Sequence, residues 1–198
     1  MFHKKTDNWK RKIENQSEEL QSCCQKTDLV LQKLDIKRFT EYIISTNEEI
    51  FSIIDHRGKP FIITISLEYS DGGNLSNINF YGYIIDRNSF YKSNELFAIL
   101  IYNCHNTEIN SVFLQDNRGR TRNQGYGSLI MESFLSYVKR LHVKKVYGKL
   151  SSFDTKDPFD PQHGKLLHHF YKKFGFEVIF NDIKSQGIIK LKLNKKNL

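Results

Sequence analysis

The chain has 198 residues with a formal net charge of +8, and 39% of its residues are hydrophobic and 13% aromatic. That is the composition of a globular chain able to bury roughly 70% of its unfolded surface, and it excludes disordered and low-complexity classes. No apolar run reaches the length of a membrane span, and Met1-Phe2-His3-Lys4-Lys5 leads into polar residues, so neither membrane insertion nor secretion is expected.

Residues 1–35 read as a helical extension and residues 36–198 as the main domain. The extension has a polar helix from about Trp9 to Gln25, with only Trp9, Ile13 and Leu20 as apolar anchors. Asp28 is placed to cap a second helix containing Leu29, Leu31 and Leu34. Three uses stay open for the extension: packing on the domain, forming a homodimer, or remaining mobile. Cys23 and Cys24 are adjacent, Cys104 lies alone, and no CxxC pair exists, so free thiols and a cytoplasmic location are expected.

Phe39, Ile43, Ile50, Phe51 and Ile54 are spaced near a helical period, which predicts a helix over Ile36–Ile54. His56-Arg57-Gly58-Lys59-Pro60 breaks the pattern, and Phe61–Tyr69 reads as a strand. Asp71-Gly72-Gly73-Asn74 signals a turn, followed by strands at Phe80–Ile85 and Leu96–Tyr102. From Ile109 the order is strand, glycine-containing loop, helix, strand, loop, helix, strand. The first strand holds Ser111–Leu114, the amphipathic helix spans Ser128–Leu141, and Lys145–Leu150 alternates as a strand. His163–Phe174 is helical up to Gly175, placed as a C′ glycine, and strands at Val178–Phe180 and Ile188–Leu193 close the sheet. The order defines a mixed α/β fold.

Charge is uneven. Residues 1–60 carry +1, residues 61–110 carry −3 and residues 111–198 carry +10. Such an excess points to an anionic partner for the last part of the chain, either nucleic acid or a phosphorylated cofactor. No recognised RNA-binding motif accompanies the basic residues, which weighs against nucleic acid without removing it.

Arg122-Asn123-Gln124-Gly125-Tyr126-Gly127 lies between a strand and the helix starting near Ser128. A helix N-terminus presents unpaired N–H groups and partial positive charge, and glycines let a bulky anion approach the main chain. Arg122 adds a cation whose geometry suits phosphate. The loop has no Walker lysine and no dinucleotide fingerprint.

Arg-x-x-Gly-x-Gly opening a helix after a strand resembles the acyl-CoA motif of the GNAT acyltransferase superfamily. His169-Phe170-Tyr171-Lys172-Lys173-Phe174-Gly175-Phe176 resembles that superfamily's late helix and following strand. The resemblance implies a mixed, mostly antiparallel sheet flanked by helices, and an N-acetyltransferase that moves an acetyl or other acyl group from acetyl-CoA directly to a primary amine. It implies that the amides of Asn123, Gln124, Gly125, Tyr126, Gly127 and Ser128, beside Arg122, hold the diphosphate. Leu114 on its strand would lie along the pantetheine arm, Ser151 would meet cofactor or acceptor, and Tyr171 would be the general acid.

A base is not identified: Glu108, Asp116 and His105 flank the motif strand, whose interior holds no carboxylate. Arg118-Gly119-Arg120-Thr121 is long for a link from strand to motif; it would bulge the strand or reach the cofactor's 3′-phosphate. No metal site is expected from His163, His168 and His169 or from Asp154, Asp157 and Asp160. The three aspartates instead place an acidic loop where it would favour a cationic amine. The competing reading is a GNAT-like protein that binds acyl-CoA without turnover or acts on RNA, including acetylation of aminoacyl-tRNA.

Overall fold

A computed structural model of the chain describes residue 18 and residues 36–86, 89–103, 108–120, 124–150, 163–180 and 186–193. The extension helices proposed before residue 36 lie outside these residues, apart from helical residue 18. Also outside are Arg122, Asn123, Ser151, His105, Cys104 and the loop carrying Asp154, Asp157 and Asp160.

The described elements run α1 (Ile36–Ser45), β1 (Glu49–His56), β2 (Lys59–Tyr69), β3 (Leu75–Asp86), β4 (Ser89–Tyr102), β5 (Ile109–Gly119), α2 (Tyr126–Arg140), β6 (Lys145–Leu150), α3 (His163–Lys173), β7 (Glu177–Phe180) and β8 (Gly187–Lys192). The eight strands form a mixed, mostly antiparallel sheet in the order β1-β2-β3-β4-β5-β6-β8-β7. Its one out-of-sequence step, β8 between β6 and β7, follows from β7 and β8 forming a hairpin while β8 also pairs with β6. Two compact units divide the chain. The first takes in the described residues of 1–67, 79–95 and 118–133, and the second those of 68–78, 96–117 and 134–198.

In the first unit, the helix expected over Ile36–Ile54 is corrected: it stops at Ser45, and Ile50, Phe51 and Ile54 belong to β1. The stop is a Schellman motif, with Asn47 N–H on Ile44 O (3.2 Å), Glu48 N–H on Ile43 O (3.1 Å) and Asn47 at φ 54°. Downstream, the β-branched Ile50, Ile53 and Ile54 favour a strand. β1 and β2 are an antiparallel hairpin closed by Arg57 and Gly58, both at positive φ (57° and 74°), the backbone of a type I′ turn. From α1, Phe39 and Ile43 pack on Ile62, Tyr83 and Ile85. The rings of Phe39 and Tyr83 meet edge-on at 5.5 Å.

Among the described residues of this unit, one carboxylate is buried. Glu48, 2% exposed, accepts from Tyr83 Oη at 2.9 Å on each carboxylate oxygen and also from Thr64 Oγ1. Tyr42 Oη lies 3.3 Å from Tyr83 Oη. Burial pushes the Tyr83 phenol far above the usual tyrosine range, reinforced by the Tyr42 hydrogen bond and the Glu48 charge.

In the second unit, β5 and β6 are parallel, while β6/β8 and β7/β8 are antiparallel. Val112, Leu114, Phe134, Val138, Val146, Leu150, Phe176 and Ile189 are buried in it. Both of its helix ends repeat the stop seen after α1. After α2, His142 stands at φ 56° with Val143 N–H on Val138 O; after α3, Gly175 stands at φ 81° with Phe176 N–H on Tyr171 O. Gly175 is thus the C′ residue the sequence predicts.

Candidate functional site

The motif loop lies in the first unit and the motif tyrosine in the second. In the first unit, β5 runs to Gly119, so Arg118 and Gly119 are strand and not a free link. Arg120 N–H then bonds Ser93 O at 2.8 Å. Gly125 caps α2: its carbonyl accepts from Ser128 N–H (2.9 Å) and Leu129 N–H (3.3 Å). The Ser128 amide, expected among the diphosphate donors, is therefore engaged inside the turn. The amides of Tyr126 and Gly127 occupy the first two helical positions, where the helix itself offers no acceptor.

Gly125 has φ 89°, a conformation that side-chain-bearing residues rarely adopt. An added Cβ would also stand 3.1 Å from His56 Cε1. His56, the last residue of β1, approaches because its Nε2 is 2.6 Å from Gln124 O. A carbonyl can only accept, so the imidazole proton sits on Nε2. The peptide plane is rigid and trans, so fixing the Gln124 carbonyl toward His56 turns the Gly125 N–H to the opposite side. Tyr126 anchors the same turn. Its ring lies 4.8 Å from both His56 and Phe61, and the residue is buried. Burial pushes its phenol up, with Tyr91 adding to the rise and Arg57 opposing it.

His56 was missed by the sequence reading because it acts across 68 residues. The available signal was the Arg57-Gly58 pair, a hairpin turn that returns β2 and leaves His56 at a strand end.

In the second unit, the β5/β6 ladder runs from Ser111↔Lys145 to Leu114↔Gly148 and stops there, although both strands continue. Gly148 is required at that last rung, since a Cβ on it would stand 2.6 Å from Leu114 O. Leu114 is itself buried, while Gln115 beyond the ladder is exposed. Glu108 is exposed, and Asp116 is partly buried with partners of its own.

Tyr171 lies in the last turn of α3, 5% exposed, between the rings of Phe170 (5.2 Å) and Phe176 (5.5 Å). Its carbonyl accepts from Phe174 N–H and Phe176 N–H, both at 3.1 Å. The spacing of Tyr171, Gly175 and Phe176 is that of a Schellman stop with its hydrophobic contact between C3 and C″. His168 lies against Phe180 at 6.1 Å and His169 is exposed. Among the described residues, no three metal-ligating side chains gather and no helix is long and apolar enough to cross a membrane.

No protein-family model and no curated protein matches the chain. Solved structures similar to it include PaiA N-acetyltransferase from Thermoplasma acidophilum in complex with coenzyme A, at 15% identity and TM-score 0.44, over 62% of this chain and 64% of that one. An acetyltransferase from Thermus thermophilus matches at 16% identity and TM-score 0.43, over 60% of this chain and 65% of its own. The N-acetyltransferase PseH from Campylobacter jejuni, in complex with acetyl coenzyme A, matches at 16% and 0.41, over 60% and 70%. The chain thus spans less than two thirds of the Thermoplasma and Thermus proteins.

Proposed function

We propose that the protein is a cytoplasmic N-acetyltransferase that uses acetyl-CoA and a primary amine carried by a small molecule or a protein. The observation that carries this reading is the strand–loop–helix around Gly125, whose fixed Gln124 carbonyl turns the Gly125 N–H away from His56, next to the Tyr126 and Gly127 amides for which the helix has no acceptor. That donor set fits a diphosphate: backbone N–H groups, no Cβ in the way, and Arg122 in the same loop. Gln124, Gly125, Tyr126 and Gly127 would hold it, with Arg122 and Asn123 adjacent. The β5 strand around Leu114, where the ladder with β6 stops, would lie along an extended pantetheine arm. Ser151 follows β6 directly in the chain and would contact cofactor or acceptor.

Bound acetyl-CoA supplies an acyl group activated as a thioester. In the transfer a C–N bond forms, the C–S bond breaks, and one proton moves from amine to sulfur. At pH 7 an amine with pKa about 10.4 is neutral in roughly one molecule in 2,500, an obstacle of about 4.6 kcal/mol. A site that desolvates the ammonium lowers this obstacle. The Tyr171 hydroxyl is assigned to the leaving sulfur as proton donor, and a positioned acid contributes about 10²–10⁴-fold. No carboxylate stands inside the β5 motif segment Ser111–Gln115, so the amine proton leaves through water or before binding. Calorimetry with acetyl-CoA, followed by thiol-release assays over polyamines, aminoglycosides, amino acids and peptides, tests the reading. No acetyl-CoA binding at millimolar ligand would end it, and binding without thiol release for any amine would favour a non-catalytic acyl-CoA-binding protein.

His56→Ala is expected to weaken acetyl-CoA binding about five- to tenfold, the worth of one hydrogen bond orienting a peptide group, with kcat retained. His56→Gln keeps an N–H at similar reach and should recover most of the loss. An acyl-pantetheine that lacks the diphosphate should react with both variants as with the parent protein. If KM for that truncated donor rises equally, His56 does not act through the loop.

A further inference from the structure

The strand register of the second unit gathers a basic face that acyl transfer does not use. On β6, Lys145, Tyr147 and Lys149 point to one side, and Val146, Gly148 and Leu150 are buried on the other. The antiparallel register sets Lys145 opposite Lys192 and Tyr147 opposite Lys190, with the β8 lysines on the same side. All four lysines are exposed. Glu177, opposite Lys190 in the β7/β8 register and therefore on the same face, is the only acidic residue on β6, β7 and β8.

Two like charges directly opposite each other on neighbouring strands destabilise a sheet, so the Lys145–Lys192 pair is a local cost that an anionic partner removes. The face is about 13 Å long from Lys145 to Lys149, and strands lie about 4.8 Å apart. Set among the lysines is the half-buried ring of Tyr147, 5.3 Å from Phe113 on β5 and 5.8 Å from Lys145 Nζ. Ile188 and its partner Ile179 continue this apolar surface at 41% and 43% exposure.

We infer that this face binds single-stranded RNA, with phosphates on the lysines and a base stacked on Tyr147. Lysines alone suit any polyanion. Flat aromatic surface interleaved with them suits unpaired bases, which have π-faces that an acidic peptide lacks. RNA presents such bases in its loops and ends, whereas in its duplex form they are paired and stacked on one another. The inference is independent of the acyl-transfer reading.

Fluorescence anisotropy of the full chain with a labelled ten-nucleotide single-stranded RNA, titrated against salt, tests it. With four lysine contacts, the slope of log K against log salt should be roughly −3. The double variant Lys145→Gln/Lys192→Gln should flatten that slope by about 1.4. Tyr147→Leu should weaken binding roughly 5- to 100-fold with the slope unchanged. Melting temperatures check the fold, and the double variant should melt no lower than the parent chain because it removes a like-charge pair. The inference is overturned if the parent chain does not bind the RNA, or if the double variant keeps the parent slope. It is also overturned if polyglutamate or phosphatidylserine vesicles bind as tightly at equal charge.

Discussion

Tyr171→Phe should lower kcat for acyl transfer by roughly 10²-fold or more while leaving the affinity for acetyl-CoA in place. The geometry makes this substitution unusually selective. The Tyr171 ring fills the contact with Phe176 that accompanies the Schellman stop, and its carbonyl closes that stop by accepting from Phe174 and Phe176. Phenylalanine keeps the ring and the carbonyl and deletes only the hydroxyl. A tyrosine retained for packing alone would therefore tolerate the change. Stability should fall by no more than the value of one hydrogen bond, about 1 kcal/mol, or a few degrees in Tm for a chain of this size. A series of acyl donors separates the cases further: a phenol that protonates the leaving sulfur matters least for donors with acidic thiols. If kcat is unchanged across donors, Tyr171 only ends a helix, and the late motif carries no information about catalysis.

That dual use of one motif explains why the second half of the chain is legible from its residues. Gly125 and Gly175 stand at positive φ, at a helix start and a helix stop, and these constraints are local in sequence, whereas Gly148 is required by Leu114 O on the neighbouring strand. The elements from α2 to β8 begin and end within two residues of their expected positions, whereas β5, expected at Ser111–Leu114, runs from Ile109 to Gly119. Residues 46–56 defeat the same reasoning. Phe39, Ile43, Ile50 and Ile54 repeat at four and seven residues, a spacing that fits a helix as well as it fits a helix followed by a strand. What divides them is Asn47 in a left-handed conformation, a weaker signal than glycine or proline. The loop's amide directions were equally hidden, because they depend on His56, and so was the Glu48 network, whose partners lie 16 and 35 residues away.

That network carries the largest expected effect on stability. Glu48→Leu removes the carboxylate acceptor of two buried hydroxyls, leaving Thr64 without it and Tyr83 with only the longer 3.3 Å contact to Tyr42 Oη, and a buried group that loses its partner costs about 1–3 kcal/mol. A loss of roughly 2–6 kcal/mol follows, seen as a fall of some 5–20 °C in Tm. The triple variant Glu48→Leu/Tyr83→Phe/Thr64→Val deletes both donors with the acceptor, and should regain most of the loss if unpaired hydroxyls are the cause. A triple variant as unstable as Glu48→Leu alone would locate the cost in packing against α1.

The raised Tyr83 phenol adds a pH signature to this experiment. Folded Tyr83 holds its proton where an unfolded tyrosine, with pKa about 10, has lost it. Its stabilisation is complete below pH 10 and declines as pH rises above that value, by about 1.4 kcal/mol per pH unit. Tyr102 and Tyr126, also raised by burial, contribute in the same direction. Denaturant midpoints measured from pH 8 to pH 11.5 should therefore bend downward near pH 10, and Tyr83→Phe should make that bend shallower. An identical bend in Tyr83→Phe would mean that the buried phenol ionises as readily in the fold as in the unfolded chain, which its hydrogen bond to the Glu48 carboxylate forbids.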